Sequence, residues 1–277
     1  MKKQIAILLT MLLCLGILAG CTAPGPSVPE EPEVAEATTF HIASLKGPTT
    51  MGMVKLMKDA EGGATKHDYQ FEIFGTADEV VPKLVNGDLD IALLPCNLAS
   101  VLYNKTQGAV QVAAINTLSV LYVVESGDTV HSIQDLAGKT VYSTGKGTTP
   151  EFAFNYILSQ NGIDPQKDIT IEYKSESTEI AAMLQNAEVT IAVLPQPYVT
   201  TVKMQNDKVR TALSFNEEWD KLGTDSSMVT GVVLVRKDFV EENSLAFNEF
   251  LDEYKASTEY VNANTEEVAE WIAEYGI

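Results

Sequence analysis

The chain has 277 residues, 45% of them hydrophobic, and carries 38 acidic against 19 basic side chains for a formal net charge of −19. So acidic a surface makes nucleic acid and bare anionic membrane poor partners. The length allows two lobes with cores of their own and is short for three.

Lys2 and Lys3 precede an almost wholly apolar run over residues 5–18. That run is shorter than the roughly 20 residues a bilayer span needs, so residues 1–20 read as an export signal. It ends in Leu18-Ala19-Gly20-Cys21, which resembles the lipobox of bacterial lipoproteins. The small Ala19 and Gly20 suit a peptidase cleft, and Cys21 supplies the thiol to be acylated, which would anchor the chain to the membrane by lipid. Two of the 19 basic residues and none of the 38 acidic ones leave with the signal, taking the net charge from −19 to −21. Cys14 leaves as well and Cys21 would carry lipid, so Cys96 remains alone and no disulfide framework is possible within the monomer. A single thiol of this kind is expected to be buried and inert. Residues 21–37, with Pro24, Pro26, Pro29 and Pro32, cannot bury enough apolar area to fold and are expected to form a semi-rigid tether. At about 3.1 Å per residue it would hold the folded body up to roughly 50 Å from the membrane.

The body is expected to begin at about Thr38. Residues 39–44 alternate as a strand, 45–50 form a loop, and 51–60 place Met53, Val54, Leu56 and Met57 at helical spacing before Gly62-Gly63 stops them. A strand over 69–74 and a helix over 78–85 follow. Asn86-Gly87-Asp88 then turns the chain into a continuously apolar strand over 89–94, of the buried parallel kind. The same order returns with strands at 140–143, 169–174 and 189–194 and helices at 151–160 and 179–184. Pro150 stands at a helix start, and Gly162 stands where that helix should end.

This recurrence is a repeat at an offset of 100 residues. When 72–95 is laid on 172–195, eight of 24 pairs are identical: Glu72/Glu172, Glu79/Glu179, Leu84/Leu184, Asn86/Asn186, Ile91/Ile191, Ala92/Ala192, Leu94/Leu194 and Pro95/Pro195. Lys46-Gly47-Pro48-Thr49 lies on Lys146-Gly147-Thr148-Thr149 without a gap. Any two α/β units share a period, but equal spacing through the loops predicts two similar lobes. The apolar runs 112–125 and 228–235 are expected to be extended crossings that form a hinge. Phe247, Phe250, Leu251, Tyr254 and Val261 mark one face of a helix over 245–261, and a last helix carries Val268; both are expected to return to the first lobe. The expected architecture is α/β and two-lobed: lobe 1 over 38–121, lobe 2 over 122–231, and a return to lobe 1 over 232–277.

A lipobox, two α/β lobes and two crossings make the chain resemble a type II periplasmic binding protein, the solute receptor of an ABC importer. More narrowly it resembles the nitrate, sulfonate and thiamine-precursor branch. Gly47-Pro48-Thr49-Thr50, Asn86-Gly87-Asp88-Leu89-Asp90-Ile91-Ala92, Asp135-Leu136-Ala137-Gly138-Lys139-Thr140-Val141 and Gly147-Thr148-Thr149-Pro150 carry that resemblance, which covers nearly all of the chain after Thr38. It implies capture of a small molecule between the lobes and delivery to an ABC permease and its ATPase. Members of this group often extend past the equivalent of Ile277, which leaves the finish of lobe 1 and a truncation of the chain there as open readings.

Ligands of open α/β sheets lie outside the carboxyl ends of the strands, where loops lead into helix N-termini. The repeat places four such loops across a cleft. In the first pair, Lys46, Pro48, Thr49 and Thr50 face Lys146, Gly147, Thr148 and Thr149. The threonines serve either as helix caps or as ligand contacts. In the second pair, Asn97 faces Gln196 and Tyr198. Here the repeat breaks down where the polar groups begin, which fits two lobes gripping different parts of one ligand as well as plain loop divergence. Thr76, Asn116, Thr117 and Tyr122 are further candidates, Tyr122 equally as core; Trp219 is read as pinning a surface loop. Lys46 and Lys146 at matched positions suit an anion, although loop lysines are commonly solvated; sulfonates, pyrimidines, small carboxylates and flavin-like aromatics all fit the hydroxyl-rich loops.

Catalytic readings find little support. His41, His67 and His131 are the only histidines and show no metal spacing, Gly138-Lys139-Thr140 lacks the leading glycine of a phosphate loop, and no G-x-S-x-G is present. No metal or cofactor is expected. Enzymes of the same fold work in the cytosol, against the lipobox. A sensory lipoprotein that passes ligand occupancy to a receptor kinase is the alternative to transport.

Overall fold

The computed structural model describes residues 36–277. The expected signal, Cys21 and the tether up to Ala35 lie outside the described residues. Ten strands run in chain order: β1 (Thr39–Leu45), β2 (Asp68–Phe74), β3 (Ile91–Pro95), β4 (Val110–Leu118), β5 (Leu121–Ser126), β6 (Thr140–Ser143), β7 (Thr170–Tyr173), β8 (Ile191–Pro195), β9 (Val209–Ser214) and β10 (Val229–Arg236). They build two five-stranded sheets, ordered β2-β1-β3-β10-β4 and β7-β6-β8-β5-β9. In each sheet the first three strands are parallel and the fourth is antiparallel to its neighbours. Thus β10 takes in the first lobe the place that β5 takes in the second.

The helices of lobe 1 are α1 (Pro48–Met51), α2 (Val54–Glu61), α3 (Ala77–Asn86) and α4 (Cys96–Lys105). Lobe 2 holds α5 (Thr149–Gln160), α6 (Ser177–Gln185), α7 (Tyr198–Gln205) and α8 (Phe215–Lys221). The chain ends with α9 (Lys237–Glu242), α10 (Ser244–Ala263) and α11 (Thr265–Glu274).

The repeat shows in the cores. Val80, Leu84, Leu89, Ala92, Leu94, Ala99 and Leu102 are buried together in lobe 1. Ile180, Leu184, Val189, Ala192, Leu194, Val199 and Val202, each 100 residues on, are buried together in lobe 2. Burying a side chain of this size contributes about 1.5–3 kcal/mol, so the matched positions are those that hold each helix layer to its sheet.

Three boundaries differ from expectation. The apolar run over 112–125 is two strands, because Val110–Leu118 pairs with β10 in one sheet and Leu121–Ser126 pairs with β8 and β9 in the other, leaving Ser119 and Val120 to cross. The return to lobe 1 starts before residue 232, since Val229 and Gly231 already pair with Leu118 and Thr117. The expected helix over 51–60 starts earlier, at Pro48, and is interrupted at Gly52 and Met53. Ser257 of α10 explains the interruption: its hydroxyl donates to the Gly52 carbonyl at 2.8 Å and accepts the Leu56 N–H at 3.0 Å. The last helices therefore do pack on lobe 1. Phe40 of β1 stacks on Phe250 of α10 with centroids 5.6 Å apart, and Phe239 meets it edge-on at 5.1 Å.

Candidate functional site

The carboxyl ends of both sets of parallel strands open onto one cleft of about 460 Å³. Small-molecule sites fall in the range of roughly 300–1,000 Å³. Its walls come from three matched pairs of loops. Lys46, Pro48 and Thr49 follow β1, and Thr144, Gly145, Lys146 and Thr148 follow β6. Gly75, Thr76 and Asp78 follow β2, and Lys174, Ser175, Glu176 and Ser177 follow β7. Pro95 ends β3, and Pro195 with Tyr198 follows β8; Thr117, Val120, Leu121 and Thr230 of the crossings complete the wall.

Eight of the expected residues therefore line the cleft: Lys46, Pro48, Thr49, Thr76, Thr117, Lys146, Thr148 and Tyr198. Five do not, and their side chains or carbonyls are engaged elsewhere. Thr50 is fully buried, donates to the Leu45 carbonyl and is hydrogen-bonded to the Ser44 hydroxyl. Gln196 accepts the Thr200 N–H and hydroxyl with Oε1, which caps the start of α7. Asn97, Gly147 and Thr149 hydrogen-bond to one another across the lobes rather than facing the cleft.

The loop threonines act mainly as neither caps nor free hydroxyls. Thr49 donates to the Leu45 carbonyl at 3.1 Å and Thr148 to the Gly145 carbonyl at 2.6 Å, so each braces its own loop and keeps oxygen lone pairs toward the cleft. Thr76 does form part of a capping box, its N–H and hydroxyl both reaching Glu79. Thr230 differs from these: its hydroxyl is buried behind the cleft wall and finds no partner among the described residues.

Three lysines and two acids set the charge of the cleft. Lys174 pairs with Glu179 at 3.6 Å, while Lys146 lies over the Tyr173 ring at 5.9 Å. Burial, then the nearby Glu151 carboxylate, pushes the Tyr173 phenol well above its usual range; burial, then Glu176, raises that of Tyr198. Both phenols stay protonated at neutral pH; that of Tyr173 is hydrogen-bonded to Glu151, and that of Tyr198 can donate a hydrogen bond.

Sequence reasoning missed the β2 and β7 loops, apart from Thr76. The signal was available: 75–77 and 175–177 are matched by the repeat and follow parallel strands. It also missed Gly231 beneath the cleft floor, where an added Cβ would stand 2.6 Å from Asn116 Oδ1 and 2.9 Å from Thr49 Cγ2. Asn116 itself braces the floor by donating to the Thr49 carbonyl at 3.1 Å, and Tyr122 packs in the lobe 2 core. Trp219 donates to Ser226 at 3.1 Å and so pins its loop. Cys96 is half-buried rather than buried, with its thiol donating to the Val229 carbonyl at 3.0 Å.

Solved structures share this architecture. An ABC transporter structure from Parabacteroides distasonis superposes with a TM-score of 0.68 at 20% identity, over 87% of this chain and 79% of that one. The periplasmic aliphatic sulphonate-binding protein SsuA of Escherichia coli gives 0.68 at 16%, over 86% and 79%. The periplasmic nitrate-binding protein NrtA of Synechocystis PCC 6803 gives 0.68 at 14%, over 87% and 67%. Among curated proteins, YtlA of Bacillus subtilis (strain 168) is 29% identical over 109 residues, 38% of this chain; the match spans about a third of YtlA, 32%. Among the described residues, no helix is long and apolar enough to cross a membrane. Residues 62–269 match the family described as "ABC transporter, phosphonate, periplasmic substrate-binding protein", and the chain belongs to that family of substrate-binding proteins.

Proposed function

We propose that this protein is a lipid-anchored receptor, held by Cys21, that closes its lobes on a small anionic solute and hands it to an ABC permease and its ATPase. The reading is carried by one observation: Lys46 and Lys146, equivalent in the repeat, enter one cleft from opposite lobes. A solute that touches both lobes only when they close favours the closed form; one that touches a single lobe equally in both forms shifts nothing. Thr117 and the Tyr198 phenol supply hydrogen-bonding groups beside the lysines. The family and the sulphonate- and nitrate-binding neighbours support an oxyanion among the candidate solutes.

Native mass spectrometry of protein purified without refolding, followed by calorimetry against phosphonates, sulfonates, nitrate, small carboxylates and uncharged pyrimidines, tests this. An oxyanion is expected to bind, and Lys46→Gln with Lys146→Gln is expected to weaken it about three- to thirty-fold, since exposed charge pairs contribute about 0.3–1 kcal/mol each. Binding of uncharged pyrimidines alone would overturn the anionic assignment, and a protein that binds none of the panel would overturn solute capture from these classes.

A further inference from the structure

The repeat makes two seams between the lobes equivalent, and they are built differently. At one seam the start of α4 in lobe 1 meets the start of α5 in lobe 2. The Asn97 N–H donates to Thr149 Oγ1 at 3.2 Å, the Thr149 hydroxyl returns its proton to Asn97 Oδ1 at 3.0 Å, and Asn97 Nδ2 donates to the Gly147 carbonyl at 3.1 Å. These bonds engage the Asn97 N–H, amide and carbonyl oxygen together with the Thr149 hydroxyl, and Thr149 is 7% exposed. At the other seam Thr49 stands where Thr149 does and Pro197 where Asn97 does. Proline has neither an N–H nor a side-chain amide to offer, and Thr49 gives its proton to Leu45 of its own loop. The Tyr198 ring approaches there, 4.0 Å from where a Cβ on Gly47 would lie.

The bonded seam also has a distinct position. Thr148 and Pro150 line the solute cleft, whereas Asn97 and Thr149 line a second cavity of about 320 Å³ shared with Ser227, Met228 and Val229 of the second crossing. It therefore stands beside the hinge, at the back of the cleft.

We infer that Asn97 and Thr149 form a polar latch between the lobes that holds the protein closed before solute arrives and positions the Gly145–Thr148 loop against the cleft. The inference rests on the solute-capture reading above. Because the latch is asymmetric, closure is guided at the hinge-side seam while the Thr49–Tyr198 seam is left for the solute to bridge. A binding-competent form that is already populated lowers the conformational cost of capture, since apparent affinity scales with the competent fraction.

The test needs no ligand. Spin labels are introduced through a ketone-bearing amino acid at Val85 and Gln185, exposed and matched positions on α3 and α6, so that the native cysteines stay. Electron–electron double resonance on the full-length, detergent-solubilised protein then compares the wild type with Asn97→Ala, Thr149→Val and Thr149→Ser. The expected result is a dominant closed distance in the wild type, retained by Thr149→Ser because it keeps the hydroxyl. In Asn97→Ala and Thr149→Val the closed-to-open ratio should fall about fivefold or more. Circular dichroism melts confirm that each variant is folded, and Thr149→Val, close in shape to the native side chain, serves if Asn97→Ala does not fold. Distances unchanged in both variants, a wild type already as open as they are, or a Thr149→Ser that opens as far as Thr149→Val would each overturn the latch. None of these outcomes bears on solute capture, which the calorimetric panel tests separately.

Discussion

At position 187 the second lobe carries alanine where the first has Gly87, and both residues sit in the left-handed region, at φ 57° and 87°. A residue with a Cβ is strained there by about 1–2 kcal/mol, whereas glycine is not, though glycine gives up more chain entropy on folding. Ala187→Gly is therefore expected to stabilise the protein by about 0.5–1 kcal/mol in denaturant titration, and the converse Gly87→Ala to destabilise it, since its Cβ would also crowd Arg236 Nη1 at 3.1 Å. Glu125 provides a second case. Burial pushes its carboxyl up, but the Thr129 hydroxyl, the N–H groups of Val130 and Thr129, and Arg210 at 2.8 Å outweigh it and hold it below its usual value of 4.5. A carboxyl depressed by folding adds stability that is complete above its unfolded value and is lost as pH falls through the folded one. Glu125→Gln should accordingly cost about 1.5–3 kcal/mol at pH 7, and the gap between the two melting curves should narrow as pH drops below about 4.5.

Between elements, the break separating α1 from α2 depends on a single hydroxyl. Ser257 is 2% exposed and satisfies both the Gly52 carbonyl and the Leu56 N–H, so Ser257→Ala leaves the buried Leu56 N–H without a partner and the Gly52 carbonyl with only the longer 3.3 Å bond from the Thr258 hydroxyl. The expected cost is about 1–3 kcal/mol, measured by equilibrium unfolding, and hydrogen exchange should quicken at Leu56. This contact explains what was not legible at this scale. The spacing of Met53, Val54, Leu56 and Met57 announced a helix, but its interruption is caused by a side chain some 200 residues away in sequence, which no local pattern encodes. The same limit applies to the site. Loops ending parallel strands were readable from the pattern, and six residues named on that ground line the cleft, joined by Thr76 and Thr117. That Asn97 and Thr149 would bond to each other depends on how the lobes meet, and that is a property of the hinge.

For the molecule as a whole, the 100-residue offset made the two-sheet architecture legible, because matched buried positions such as Leu84/Leu184 and Leu94/Leu194 define the same layers twice. The exchange of β10 for β5 in equivalent places was not legible, since it follows from pairing across the crossings rather than from either repeat. Net charge gives the largest-scale prediction. The chain bears −19 overall, yet Lys46, Lys146 and Lys174 enter the cleft. For an anionic solute the two effects act at different ranges. At about 10 mM salt the Debye length is roughly 30 Å, so an approaching anion meets the repulsion of the whole acidic surface; at about 150 mM it is roughly 8 Å and that repulsion is screened. Contacts inside the closed cleft are shorter than either length and weaken less. Stopped-flow association should therefore speed up as salt rises from about 10 to 150 mM, while dissociation quickens only modestly. Lys46→Gln with Lys146→Gln should chiefly raise the dissociation rate. An association rate that falls with salt would mean instead that the cleft lysines govern the approach as well as the grip.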